Sequence, residues 1–162
     1  MKKFILTTTI ITLFACDDDD TVVNTLSKEE QHIIDIEAID AYIEKNEIED
    51  VQTDTYGIRY VIHDKGNDSK PTNEDTVRVN YDGYYLSGFS FDKGIDISFP
   101  LNSVISGWQI GIPYIGEGGS ITLYIPSYYG YGTSGYNSIP PNTNLVFDIK
   151  LLGILKEDTE DD

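Results

Sequence analysis

The residues of this chain with the most chemical character are aromatic. Trp108, the only tryptophan, shares residues 104–152 with Phe147 and a series of tyrosines that includes Tyr131 and Tyr136, with Pro140 and Pro141 among them. Upstream, Tyr81, Phe91 and Phe99 add three rings, and Asp92 sets a carboxylate directly beside one of them. Side chains of these types wall an apolar pocket and supply a few fixed hydrogen-bonding points. Covalent chemistry finds little support. No nucleophile stands beside a base partner, and no glycine-rich phosphate loop occurs. The two histidines, His32 and His63, have no second histidine or cysteine at ligand spacing, so neither a metal nor a cofactor is expected.

Rings face one cavity only if regular elements hold them there. Residues 120–125 alternate, with Ile121, Leu123 and Ile125 on one face and Ser120, Thr122 and Tyr124 on the other, the period of a half-buried strand. Leu145, Phe147, Ile149 and Leu151 repeat that period in a second strand. Between the two, glycines and prolines forbid regular structure, while Tyr128, Tyr129, Tyr131 and Tyr136 give the loop an apolar, hydrogen-bonding surface. Such a loop is more than a connector. Ser106 is placed to cap a short helix carrying Trp108 and Ile112, which Pro113 limits to one or two turns.

Further back, residues 76–86 alternate with Val77, Val79, Tyr81, Gly83 and Tyr85 on one face, so Tyr81 points where the valines point. Ser87 and Gly88 turn the chain toward Phe91 and Asp92, and Ile97 and Phe99 lead back to Val104. A further strand is expected over residues 56–62, followed by a polar turn. Ser27 and Glu30 have capping-box spacing, and Ile33, Ile36, Ile39 and Ile43 form a stripe that predicts a helix from about residue 28 to 45. That stripe must bury against something: the domain itself, or a second copy. Antiparallel strands with one short helix inside and one long helix before them make an α+β fold.

Six short motifs occur in a fixed order: Y-D-G at 81–83, F-D at 91–92, V-I-S-G-W at 104–108, Y-G-Y-G at 129–132, I-P-P at 139–141 and L-V-F-D at 145–148. Together they resemble the FK506-binding-protein (FKBP) family of peptidyl-prolyl isomerases, over roughly residues 56–156. The resemblance implies a curved antiparallel sheet wrapped around the short helix, with the pocket between them. It places Trp108 under the proline ring, Tyr81, Phe91, Val104, Ile105 and Phe147 as walls, and the Ile105 N–H on a substrate carbonyl. Asp92 and Tyr131 become the polar contacts, Tyr136 and Ile139 the overhanging loop, and Ile97 and Phe99 further lining. Ile97 stands near where the family often has another pocket aromatic, which would weaken the binding of macrolides such as FK506. Lys93 and Gly94 replace the small hydroxyl residues common after F-D, and Gly118-Gly119-Ser120 lacks the basic residue often seen there. Rotation about an X–Pro bond needs no group transfer, so the absence of a nucleophile fits. The rival is a binding module or chaperone that grips proline-containing segments without turning them over.

The full chain divides accordingly into residues 1–15, 16–26, 27–50, 51–156 and 157–162: signal peptide, acidic tether, N-terminal helical segment, isomerase domain and acidic tail. Lys2 and Lys3, an apolar threonine-rich run and Leu13-Phe14-Ala15-Cys16 resemble a bacterial lipoprotein signal whose cysteine, the only one, becomes lipidated. The run is too short to span a membrane. Asp17 to Asp20 then resemble a surface-export signal of bacterial lipoproteins, or serve as a plain hydrophilic spacer. An extracytoplasmic protein held by lipid to the outer membrane or cell surface is expected. A net charge of -17 argues against nucleic acid as a partner. The expected partners are proline-containing polypeptides, and the expected state is a monomer.

Overall fold

The computed structural model describes residues 26–156. Cys16, the signal segment, nearly all of the acidic tether and the acidic tail lie outside them. No helix among the described residues is long and apolar enough to cross a membrane.

Helix α1 spans Lys28–Lys45, where the isoleucine stripe predicts it. Its capping box is complete: the Glu30 N–H donates to Ser27 Oγ at 3.1 Å, and the Ser27 N–H donates to Glu30 Oε2 at 2.9 Å. Six strands follow, β1 (Gln52–Thr53), β2 (Arg59–Asp64), β3 (Thr76–Tyr85), β4 (Ser90–Pro100), β5 (Ser120–Ile125) and β6 (Leu145–Leu155). They form one antiparallel sheet in the order β1-β2-β5-β6-β3-β4. The strand expected from residue 56 begins three residues later. Asp54 Oδ1 accepts the N–H groups of Tyr56 and Ile58 at 2.8 and 2.9 Å, and Gly57 takes a φ of 82°, so a turn occupies that stretch.

Helix α2, Ser106–Gly111, packs on one face of the sheet and continues into a 3₁₀ turn at Ile112–Tyr114. Ser106 does not cap it. The cap position falls on Ile105, whose side chain accepts no hydrogen bond, and Ser106 is already the first helical residue. The helix is held by packing, as expected of an element this short. A Cβ on Gly107 would lie 2.6 Å from Ile125 Cγ2, and one on Gly111 would lie 2.5 Å from Leu123 Cδ2. These two glycines let α2 approach β5 closely. The core between them holds Val77, Val79, Ile112, Ile121, Leu123, Ile125, Leu145 and Leu151.

The opposite face of the sheet is covered in part by α1. Ile39 is fully buried there against Val61, Tyr124 and Val146, with Tyr42 and Ile43 packed around them. Strand β5 is therefore buried on both faces, not half-buried as its alternation suggests. Arg59 fastens the helix from the side through two hydrogen bonds to Asp40, each 2.9 Å. Of the predicted stripe, Ile39 is fully buried and Ile36 and Ile43 are half-buried, while Ile33 points to solvent.

Candidate functional site

Strand β3 contributes Tyr81 and β4 contributes Phe91, Asp92 and Phe99; β6 supplies Phe147, the start of α2 supplies Val104, Ile105 and Trp108, and the loop between β5 and β6 supplies Tyr131 and Tyr136. These residues, with Ser103, line one pocket of about 420 Å³. That volume lies in the usual range for small-ligand sites.

Trp108 is buried at its base, and three rings meet it edge-on: Tyr81 and Phe147 at centroid distances of 5.2 Å, and Phe99 at 5.8 Å. Phe91 in turn meets Phe147 edge-on at 5.5 Å. Edge-to-face packing of this kind fixes ring orientations beyond what burial alone would do. The motif glycine Gly83 has a role here, because a Cβ on it would lie 2.7 Å from the Phe147 ring and 2.9 Å from the Phe91 ring. Gly94 is needed for the same reason: a Cβ there would lie 2.3 Å from Tyr81 Cε1. The residue that departs from the resembling family's hydroxyl preference thus makes room for the Tyr81 ring.

Polar groups are few and convergent. The Tyr81 hydroxyl donates to Asp92 Oδ2 at 2.8 Å, and the Lys93 N–H donates to Asp92 Oδ1 at 2.9 Å. Burial, reinforced by that carboxylate, pushes the Tyr81 phenol up to about 12. Burial also raises the Tyr131 phenol, with Tyr136 and Asp92 adding to the effect. Both tyrosines therefore keep their protons at neutral pH and can donate. Tyr131 and Tyr136 stack at 5.0 Å and 12° between planes, with Tyr136 exposed at the rim. No group of three or more His, Cys, Asp or Glu side chains is gathered to hold a metal among the described residues.

Two of the predicted lining residues are elsewhere. Ile97 pairs with Val79 on the edge strand and is 40% exposed outside the pocket. Two residues on, Phe99 puts its ring within 5.9 Å of Tyr81, so the pocket does not lack an aromatic on that side. Ile139 is buried in the main core behind the pocket, where its backbone exchanges hydrogen bonds with Tyr136 at 2.8 and 2.9 Å. It fixes the turn that carries Tyr136 and does not overhang. Ser103 is the lining residue that the sequence reading missed, and nothing in its type or neighbours signals it.

Among known proteins, residues 67–152 match the family model of the FKBP-type peptidyl-prolyl cis-trans isomerases. A probable FKBP-type peptidyl-prolyl cis-trans isomerase FkpA of Neisseria meningitidis is 40% identical over 121 residues, covering 71% of this chain and 44% of the relative. FkpA of Escherichia coli K12 is 42% identical over 108 residues, 64% of this chain and 40% of that protein. The chain thus spans less than half the length of these curated relatives. Among solved structures, FkpA from Escherichia coli superposes with a TM-score of 0.69 at 34% identity, over 79% of this chain and 62% of that one. A peptidyl-prolyl cis-trans isomerase from Pseudomonas syringae pv. tomato gives 0.67 at 28% identity, over 82% and 98% respectively.

Proposed function

The chain belongs to the family of FKBP-type peptidyl-prolyl cis-trans isomerases, and from that premise we propose that it accelerates cis–trans rotation about X–Pro bonds in polypeptide clients. The observation that carries this reading is the convergence of Tyr81, Asp92, Trp108, Tyr131 and Phe147 on one pocket from separate parts of the chain.

The barrier to rotation, about 18–20 kcal/mol, comes from amide resonance. Water stabilises the planar, charge-separated amide more than the twisted one. Moving the prolyl bond among the rings of Trp108, Phe99, Tyr81 and Phe147 removes that preference for the ground state. A reduction of about 5.5 kcal/mol gives an acceleration of about 10⁴-fold. In this scheme the pyrrolidine ring rests on Trp108, the Ile105 N–H binds a client carbonyl, and Tyr131 donates its hydroxyl. Asp92 holds Tyr81 in place and sets the polarity beside the twisting carbonyl. No proton or group is transferred.

The kinetic test follows a short X–Pro peptide as it relaxes from cis-enriched to equilibrium populations. Micromolar protein should accelerate relaxation; an unchanged rate together with measurable peptide binding would favour the chaperone-like binding module. FK506-type macrolides are proposed as competing ligands of the same pocket, and Phe99 supports this by completing the aromatic wall. We further propose an extracytoplasmic, monomeric protein that assists exported or envelope proteins and is held by lipid at Cys16. The lipoprotein-like signal supports the anchor, and the burial of α1 on its own sheet supports the monomer. Cys16→Ser should leave the membrane fraction; recovery of that variant in membranes with unchanged mobility would contradict lipidation.

A further inference from the structure

Helix α1 lies outside the residues matched by the family model, yet one of its side chains reaches the loop that carries Tyr131 and Tyr136. Asp35 is a carboxylate only 2% exposed, and no salt bridge accounts for it among the described residues. Burying such a group is unfavourable unless hydrogen bonds replace its water. Here three do. Asp35 Oδ2 accepts the Ser127 N–H at 2.9 Å and the Ser127 hydroxyl at 2.6 Å, and Oδ1 accepts a Gln31 amide N–H at 2.8 Å. The Asp35 backbone carbonyl accepts an Asn144 amide N–H at 3.1 Å, and Asn144 Oδ1 shares the Ser127 N–H at 3.2 Å. Ser127 opens the loop between β5 and β6, and Asn144 closes it. One helical residue therefore holds both ends.

The contact continues toward the pocket. The Ser127 carbonyl accepts the N–H groups of Gly130 and Gly132 at 3.0 and 2.8 Å, and the Gly132 carbonyl accepts the Asn142 N–H at 2.8 Å. Tyr131 is the residue between those two glycines. The helix has further contacts with the sheet besides Asp35, an apolar one at Ile39 and a polar one in the Arg59–Asp40 pair. We propose that Asp35 is a positioning residue for the pocket: its buried carboxylate staples the loop so that Tyr131 and Tyr136 stay over the bound proline. The inference rests on the isomerase reading for its effect on rate, and on the hydrogen bonds alone for its effect on the loop.

The test compares the full chain with Asp35→Ala, Asp35→Asn and Asp40→Ala in X–Pro peptide turnover and in amide hydrogen exchange at Gly132 and Asn142. Asp35→Ala should lower kcat/KM about tenfold, less than the about 10²-fold that a 1 Å misplacement can cost, and speed exchange at both amides at least about tenfold by freeing the loop. Asp35→Asn keeps an oxygen for Ser127 and should restore both readouts. Asp40→Ala loosens the helix at another point and should change neither. Unchanged exchange in Asp35→Ala overturns the staple whatever the activity, and faster exchange with unchanged kcat/KM overturns its link to the pocket. An inactive wild-type protein defeats the isomerase reading, and exchange then still decides whether Asp35 orders the loop. Should Asp35→Ala fail to fold, Ser127→Ala removes the hydroxyl donor alone; smaller changes in the same direction support the proposal, and none overturns it.

Discussion

Asp92 lines the pocket from an exposed position and Trp108 from a buried one, and substitutions at the two should behave differently. Asp92 is exposed and its main partner is the Tyr81 hydroxyl. Water can replace an exposed hydrogen bond of this kind, so Asp92→Ala should cost less than about 0.5 kcal/mol of stability while kcat/KM falls about five- to tenfold. Equal losses of stability and rate would mean that Asp92 serves the fold only. Trp108 is 4% exposed and meets three rings, so Trp108→Ala should cost about 3–5 kcal/mol of stability. A denaturant titration measures it, and a cost below about 1 kcal/mol would show that the ring is not a packed floor. Most pocket residues were legible in the sequence because their motifs combine unusual residue types with fixed spacing. Ile97 and Ile139 were not. For an aliphatic residue, type and spacing do not distinguish a wall from the core behind it or the strand edge beside it. Ser103 is a common residue in a short 3₁₀ turn, and its place on the wall depends on where the whole turn sits.

At the scale of elements, the pocket depends on how closely α2 approaches β5. Gly107→Ala would drive a methyl group into three Ile125 atoms within 3.0 Å of it, and the helix or the strand must give way. The expected cost is about 1–3 kcal/mol, with a fall in kcat/KM because Trp108 moves with the helix. Retention of wild-type stability and rate would show that α2 tolerates more separation than its packing indicates. The elements themselves were largely readable: period 2 marked β3, β5 and β6, and the capping box with its isoleucine stripe marked α1. What covers each face was not readable. Thr122 and Tyr124 look solvent-facing in an alternating strand, yet both are buried, Tyr124 beneath α1. The Asp35–Ser127 contact spans 92 positions, and no local pattern encodes such a distance. Ser106 misled because a serine ahead of a short helix satisfies the capping rule by type, whereas here Ile105 fills the cap position.

Across the whole molecule, a set of buried and half-buried phenols links the fold to pH. Burial pushes Tyr81, Tyr114 and Tyr124 each up to about 12 and raises Tyr84 still further. In an unfolded chain tyrosine titrates near about 10. Between those values the unfolded chain has shed protons that the folded one keeps. The stability tied to these groups is therefore complete below about pH 10 and is lost as pH rises through about 12. Melting temperatures measured across that range should fall steadily, with tyrosinate absorbance appearing as the protein unfolds; a flat profile would mean that the phenols ionise in place. Exchange NMR on an X–Pro peptide with substoichiometric protein reads rotation about the prolyl bond directly. The claim that the Trp108 pocket lowers the rotation barrier predicts cis–trans exchange cross-peaks with the wild-type chain that are lost with Trp108→Leu. Peptide shifts that show binding without any exchange cross-peak would contradict it.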